Sequence, residues 1–149
     1  MIADSIQQVL TTLYPLYKKE VYDRREQMMK LTGFGSVGLL AMLCTLLLSP
    51  QKGTLSLSDS LLLALTSLVW CGLFCGMIFQ QQHRHRLAKQ ILIQLEQALG
   101  FYEEGLFVDH QPLYPDQWKT AWLNDQSRML YPSALILLTG LFLIALLLA

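Results

Sequence analysis

Three long stretches of this sequence lack charge altogether. Residues 31–49, 61–79 and 130–149 contain no Asp, Glu, Lys, Arg or His, and charged residues make up only 15% of the chain. Hydrophobic residues make up 53%, a composition typical of a membrane protein rather than of a soluble domain. Each stretch is close to the length of about 20 residues that a helix needs to cross the hydrocarbon core. The sequence therefore predicts an all-α fold with three transmembrane helices.

The predicted organisation has four consecutive parts. These are a cytoplasmic amphipathic helical segment (1–30), a transmembrane hairpin (31–79, with spans 31–49 and 61–79), a cytoplasmic helical segment with a Trp-containing interfacial helix (80–129), and a third transmembrane helix (130–149). The connection at 50–60 is short and contains Pro, Gly, Ser and Thr, so the hairpin is expected to be tight.

The segments outside the spans show helical periodicity, with apolar residues at spacings of three and four. Pro15 is predicted to break the first helix or to start a second, which then runs on into the first span. No Gly or Pro separates Phe79 from Gly100. The second span is therefore predicted to continue as one long helix, which Gly100 and Gly105 weaken or end.

The chain has no excess charge of either sign, since 11 Lys and Arg balance 11 Asp and Glu. No basic excess points to nucleic acid, so no nucleic-acid partner is expected. Five Lys or Arg precede residue 31, five lie between residues 80 and 129, and only Lys52 lies in the hairpin connection. The positive-inside rule therefore predicts a cytoplasmic N-terminus, a periplasmic or extracellular C-terminus at Ala149, and membrane lipids around the spans.

Small residues form two candidate strips for helix packing. Gly33, Gly35 and Gly38 match the dinucleotide pattern G-x-G-x-x-G, but a charged helical stretch precedes them where that motif requires a strand. In an apolar helix they instead permit the close approach of another helix, as do Gly72 and Gly76 with Cys75 between them. The contacts are expected within one chain or between chains, and the second alternative, a homo-oligomer, is slightly favoured.

A basic cluster follows the second span. Arg84, Arg86 and Lys89 are predicted to form a collar that contacts lipid headgroups or, alternatively, an anionic ligand. His83 and His85 are two residues apart and point to different faces of a helix, so they are not expected to chelate one metal ion.

Aromatic residues cluster before the third span. Tyr114, Trp118, Trp122 and Tyr131 resemble an interfacial belt at headgroup depth. The alternative is that both tryptophans pack on the long helix as a small core. The sequence leaves both interpretations open.

No residue pattern points to catalysis. Glu96, Glu103 and Glu104 are expected to be solvated charges on a helix face, and no nucleophile lies beside a base in a recognisable motif. All three cysteines lie inside apolar runs and form no C-x-x-C pair. No enzymatic activity, metal or cofactor is therefore expected.

The stretches YKKEVYDRREQMMK and RHRLAKQILIQLEQ flank the two-span hairpin. This layout, over roughly residues 16 to 100, resembles the SLATT-type bacterial membrane proteins. The resemblance implies a bacterial inner-membrane protein with a cytoplasmic helical lobe that acts as a pore-forming effector in prokaryotic conflict systems. The third span departs from the plan of that family, and the resemblance assigns no functional residue.

Two functions follow as hypotheses. One is a self-associating, pore-forming or membrane-perturbing effector, and the alternative is an accessory subunit that anchors a partner complex through its cytoplasmic helices. A transporter or membrane enzyme is disfavoured, because the spans contain no ionisable residue near the midplane.

Overall fold

The computed structural model describes residues 2–48, 56–123 and 127–148, and within these ranges it describes no side chain for residues 2–6, 123, 127 and 128. The described residues form four helices: α1 (Ile2–Leu48), α2 (Leu57–Ala98), α3 (Gln117–Leu123) and α4 (Ser127–Leu147). No strand occurs in the described ranges, so the all-helical prediction is confirmed. Most of the predicted hairpin connection, with Lys52, and the C-terminal Ala149 lie outside the described residues.

Three of these helices are long and apolar enough to cross a membrane: α1, α2 and α4. This confirms the prediction of three candidate spans. With 47 and 42 residues, α1 and α2 are about 70 and 63 Å long, roughly twice the thickness of the hydrocarbon core. Each therefore contains far more helix than one crossing requires.

Pro15 lies inside α1, so the prediction that it breaks or restarts the helix is wrong. Its ring is exposed, while Tyr14 and Tyr17 on the other face pack against a buried cluster. The helix lacks one hydrogen bond there, because the proline nitrogen has no proton to donate to the Thr11 carbonyl. Packing on both sides of Pro15 offsets that loss.

The ends of α2 carry recognisable caps. At its N-terminus the Ser56 hydroxyl accepts a hydrogen bond from the Asp59 backbone N–H at 3.2 Å, as an N-cap residue does. At its C-terminus Gly100 has φ +76° and donates to the Gln97 carbonyl, and Phe101 donates to the Glu96 carbonyl. These two bonds define a Schellman motif, in which Gly100 lies just beyond the end of the long helix.

The chain divides into two compact units. We call Gln27–Gln81 with Ser127–Ala149 the span unit, and Met1–Glu26 with Gln82–Gln126 the aromatic unit.

In the span unit α1, α2 and α4 pack side by side. One buried cluster joins Leu39 of α1, Ile78 of α2 and Leu135 of α4, and a second is built around Leu46 and Phe142. From the first cluster to the second, the residue numbers rise along α1 and α4 and fall along α2. Helix α2 therefore runs antiparallel to α1, and α4 runs parallel to it.

In the aromatic unit, Val21 of α1 packs against Ala88 and Leu92 of α2, and Trp122 of α3 covers this cluster. The segment between α2 and α3 is an ordered loop tied back by a hydrogen bond from the Tyr114 N–H to the Phe101 carbonyl at 2.9 Å. Loops of this length are uncommon in compact domains unless they have a function of their own.

Candidate functional site

Two of the predicted packing glycines bring helices together within the span unit. A methyl group added at Gly38 would lie 2.5 Å from Cζ2 of Trp70, and one added at Gly35 would lie 3.0 Å from both Phe74 and Leu135. The Trp70 indole N–H also donates to the Gly35 carbonyl at 3.1 Å. The two glycines thus create the space that the Trp70 and Phe74 rings fill.

The other predicted packing glycines have no close neighbour among the residues that the structure describes. A methyl group at Gly33, Gly72 or Gly76 would meet no other group within 4 Å. Gly72 and Gly76 lie four residues apart on one face of α2, which Leu65 and Val69 extend with more than half of each side chain exposed. We call this surface the open glycine face. Cys75 lies outside it and packs against the buried cluster of Leu39 and Ile78.

The three predicted collar residues do not share one environment. Arg84 and Arg86 are exposed, whereas Lys89 is only 9% exposed. The Lys89 ammonium donates to the Trp122 carbonyl at 3.1 Å, near the C-terminus of α3, where a cation is favoured. Lys89 falls on the same stripe of α2 as Leu92, one turn away, and this spacing is the reason for its burial.

Lys89 also borders a cavity of about 180 Å³ in the aromatic unit, with Arg25, His85 and Trp122 among its other lining residues. The cavity brings basic side chains from α1 and α2 together. The sequence analysis assigned Lys89 to one cluster with Arg84 and Arg86 of α2, and no sequence pattern linked it to Arg25 of α1.

The predicted aromatic set is also divided. Tyr114, Trp118 and Trp122 belong to the aromatic unit, whereas Tyr131 packs in the span unit beside Leu135. Trp122 packs on the buried cluster of Val21 and Leu92, as the small-core alternative expects. Trp118 is half exposed and stacks on Tyr114 with ring centroids 5.5 Å apart.

Glu96 is a buried residue, contrary to the expectation of a solvated charge. It is 5% exposed, and its carboxylate accepts hydrogen bonds from Tyr102 at 2.7 Å and from Tyr14 at a longer 3.5 Å. The available signal was its spacing, since Glu96 follows Leu92 by one turn and therefore shares its buried face. Glu103 and Glu104 are exposed, as expected, but they lie in the loop after α2 and not on a helix face.

The described residues contain no group of three or more His, Cys, Asp or Glu side chains placed to hold a metal ion. The fold defines the chain as an all-helical protein with three helices able to span a membrane. Comparison with protein-family models, with curated proteins and with solved structures finds no match.

Proposed function

We propose that this chain is a small, non-enzymatic integral membrane protein that self-associates through the open glycine face and forms a pore in the bilayer or perturbs it. The observation that carries the proposal is that the glycines of α1 and α2 differ in their surroundings. Gly35 and Gly38 are used within the chain, whereas Gly72 and Gly76 leave a small-residue surface uncovered on α2. In lipid, such surfaces favour helix association by close backbone packing.

The proposal includes an orientation and a location. The two segments rich in Lys and Arg lie in the cytoplasm, as amphipathic helices beside the spans, and the C-terminus faces the periplasm or the exterior. The exposed Arg84 and Arg86 contact anionic headgroups. The resemblance to SLATT-type proteins supports placement in a bacterial inner membrane and a role as an effector.

The test combines mass and leakage. The purified chain in detergent is expected to be a homogeneous oligomer by light scattering and to release dye from liposomes. Gly76→Leu is expected to shift the mass to a smaller species and to reduce leakage while the chain still inserts. Gly140→Leu is the matched control, because Gly140 of α4 also has no neighbour within 4 Å of an added methyl group.

Wild-type mass and leakage for Gly76→Leu would refute association through the open glycine face. A chain that is monomeric and causes no leakage would refute the proposed function as a whole.

A second candidate function is that of an accessory subunit. It is favoured by the loop of the aromatic unit, where Leu106 and Phe107 are each more than half exposed beside the exposed Val108. Contiguous exposed apolar side chains outside a span mark a surface for a protein partner. A monomer that becomes stable only with a second protein, and causes no leakage, would favour this function over self-association.

A further inference from the structure

Glu96 is a buried carboxylate enclosed by aromatic side chains. Its two oxygens accept hydrogen bonds from different tyrosines, Oε2 from Tyr102 and Oε1 from Tyr14. Burying a carboxylate is costly unless hydrogen bonds or an opposite charge compensate it. The tyrosines supply hydrogen bonds but no positive charge, so a cation beside Glu96 would add compensation of the second kind.

A cavity of about 180 Å³ borders Glu96 within the aromatic unit. The rings of Tyr14, Tyr102, Tyr114, Trp118 and Trp122 line it. We call it the aromatic cavity. Its volume is well below the roughly 300–1,000 Å³ of pockets for drug-sized molecules, so only a small ligand fits.

The rings of the aromatic cavity are braced against one another. Tyr114 stacks on Trp118 and meets Tyr102 edge to face with centroids 6.0 Å apart, and Tyr14 meets Phe101 edge to face at 5.4 Å. Such contacts fix ring orientation, so little rearrangement is needed when a ligand enters.

Cations already lie over rings of this cluster. The Lys119 ammonium lies 4.2 Å from the centroid of the Tyr102 ring, and the Lys18 ammonium lies 5.5 Å from that of Tyr14. Both distances are within the range of about 6 Å in which the ring quadrupole attracts a cation. These ring faces therefore present a potential that favours positive charge.

We propose that the aromatic cavity binds a small organic cation of the trimethylammonium type. The ring faces attract the cation and Glu96 supplies the opposite charge. A quaternary ammonium has no N–H to donate, and both oxygens of Glu96 already accept hydrogen bonds from tyrosines. The ring faces and the charge of Glu96 are contacts that need no donated hydrogen bond from the ligand.

Lys18 also lines the cavity and carries the same charge as the ligand. Its ammonium competes with the ligand for the field of Glu96 and for the Tyr14 ring. Lys18 therefore lowers the affinity for the ligand. Replacing Glu96 and replacing Lys18 are then expected to change that affinity in opposite directions.

The test is calorimetric titration of the full chain in a maltoside detergent with tetramethylammonium chloride, against sodium chloride at equal ionic strength. Saturable binding is expected with the organic cation and none with sodium. Glu96→Gln is expected to weaken binding by about tenfold or more, and Lys18→Gln is expected to strengthen it. Lys19→Gln is the matched control, because Lys19 is the exposed neighbour of Lys18 and does not line the cavity, and it is expected to leave the affinity unchanged.

Since Glu96→Gln removes a buried charge, its fold is checked by thermal unfolding. If it unfolds, Trp118→Leu replaces it, because Trp118 is half exposed and its loss removes a ring from the cavity without opening the buried cluster. Absence of binding by tetramethylammonium would overturn the proposal. Equal affinity in the wild type, Trp118→Leu and Lys18→Gln would overturn it as well.

The ligand chemistry has two natural sources, a free trimethylammonium compound and a phosphocholine headgroup. Titrations of the chain in vesicles of phosphocholine lipid and of phosphoglycerol lipid distinguish them. Weaker tetramethylammonium binding in phosphocholine vesicles assigns the site to the headgroup, because the lipid then competes. Equal binding in both assigns it to the free compound, and no binding in either overturns the proposal.

Discussion

Gly38 and Trp70 determine how closely α1 and α2 approach in the span unit. Gly38→Ala would place a methyl group 2.5 Å from a rigid ring that is itself held by a hydrogen bond to the Gly35 carbonyl. Overpacking of this kind lowers the free energy of unfolding by roughly 1–3 kcal/mol. Denaturation in mixed detergent micelles, followed by circular dichroism, measures the loss.

The matched control for Gly38→Ala is Gly33→Ala on the same helix. The added methyl group there meets nothing within 4 Å, and alanine is a better helix former than glycine by about 1 kcal/mol. This variant is expected to be as stable as the wild type or more so. Equal losses in both variants would show that backbone freedom, and not the Trp70 ring, explains the glycine at position 38.

Tyr102 makes the stability of the aromatic unit depend on alkaline pH. Burial, followed by the hydrogen bond to Glu96 and the charge of that carboxylate, raises the pKa of Tyr102 well above its ordinary value of 10.0. The folded state therefore keeps the proton that the unfolded state loses above pH 10.0. The contribution of Tyr102 is complete below that pH and is lost as the pH rises beyond it.

The measurement for Tyr102 is the free energy of unfolding between pH 8 and pH 12, an interval of about two units on either side of the ordinary tyrosine value. The wild type is expected to lose stability across the upper half of this interval. Tyr102→Phe is expected to be less stable at neutral pH, because Glu96 loses a hydrogen bond, but to show a shallower alkaline decline. Parallel profiles for the two proteins would contradict the role of Tyr102.

At the scale of the helix, α1 continues through Pro15 at the cost of one hydrogen bond. Pro15→Ala restores the donor to the Thr11 carbonyl and removes the ring that crowds it. Because Pro15 is exposed, no buried contact is lost. The variant is expected to be more stable by roughly 1–3 kcal/mol and to show slightly more helix by circular dichroism.

Leu16→Ala provides the comparison for Pro15→Ala, since Leu16 is 59% exposed and has a normal backbone donor. It is expected to change stability little. Lower stability in Pro15→Ala would indicate that the proline sets a helix direction that the packing of Tyr14 and Tyr17 requires.

An element was predictable when local sequence alone determines it. Uncharged runs predicted the three candidate spans, because apolar length alone decides whether a helix can cross a bilayer. The end of α2 at Gly100 was also predictable, because a positive φ favours glycine. These features depend on local sequence alone.

Features that depend on contacts between distant residues were not predictable. The glycines of α1 look alike in sequence, yet Gly38 faces Trp70, whereas no described group lies within 4 Å of a methyl group added at Gly33. The rotation of α1 about its axis decides between them. Glu96 was interpreted as a solvated charge on a helix face. Its burial depends on Tyr14 of α1 and on Tyr102 of the loop after α2, which are distant from each other in sequence.

At the scale of the whole molecule, the proposed orientation rests on the distribution of charge. If α1, α2 and α4 each cross the membrane, the parallel arrangement of α1 and α4 in the span unit places their C-terminal ends on the same side. In the proposed topology the ten Lys and Arg of residues 1–30 and 80–129 belong to the cytoplasmic segments. Basic residues near an anionic leaflet contribute about 1 kcal/mol each, and this difference is expected to fix one orientation.

The orientation is tested with reporters that are active on only one side of the membrane. A periplasmic reporter fused after Ala149 is expected to be active, and the same reporter inserted at Gln111 is expected to be inactive. A cytoplasmic reporter should give the reverse pattern. The opposite result at both positions would contradict the orientation, and activity of one reporter at both positions would contradict the count of three crossings.

Charge reversal shows whether the basic residues cause this orientation. Arg84→Glu combined with Arg86→Glu changes two exposed residues, so the fold is expected to remain while a fraction of the molecules inserts in the opposite direction. The double variant Arg84→Gln with Arg86→Gln removes the charges without reversing them and is expected to have nearly the same effect, because acidic residues add little to the rule and the loss of two cations is common to both. An unchanged reporter pattern in both double variants would show that the other basic residues suffice. In that case the exposure of Arg84 and Arg86 would serve contact with lipid headgroups or with a ligand, and not the direction of insertion.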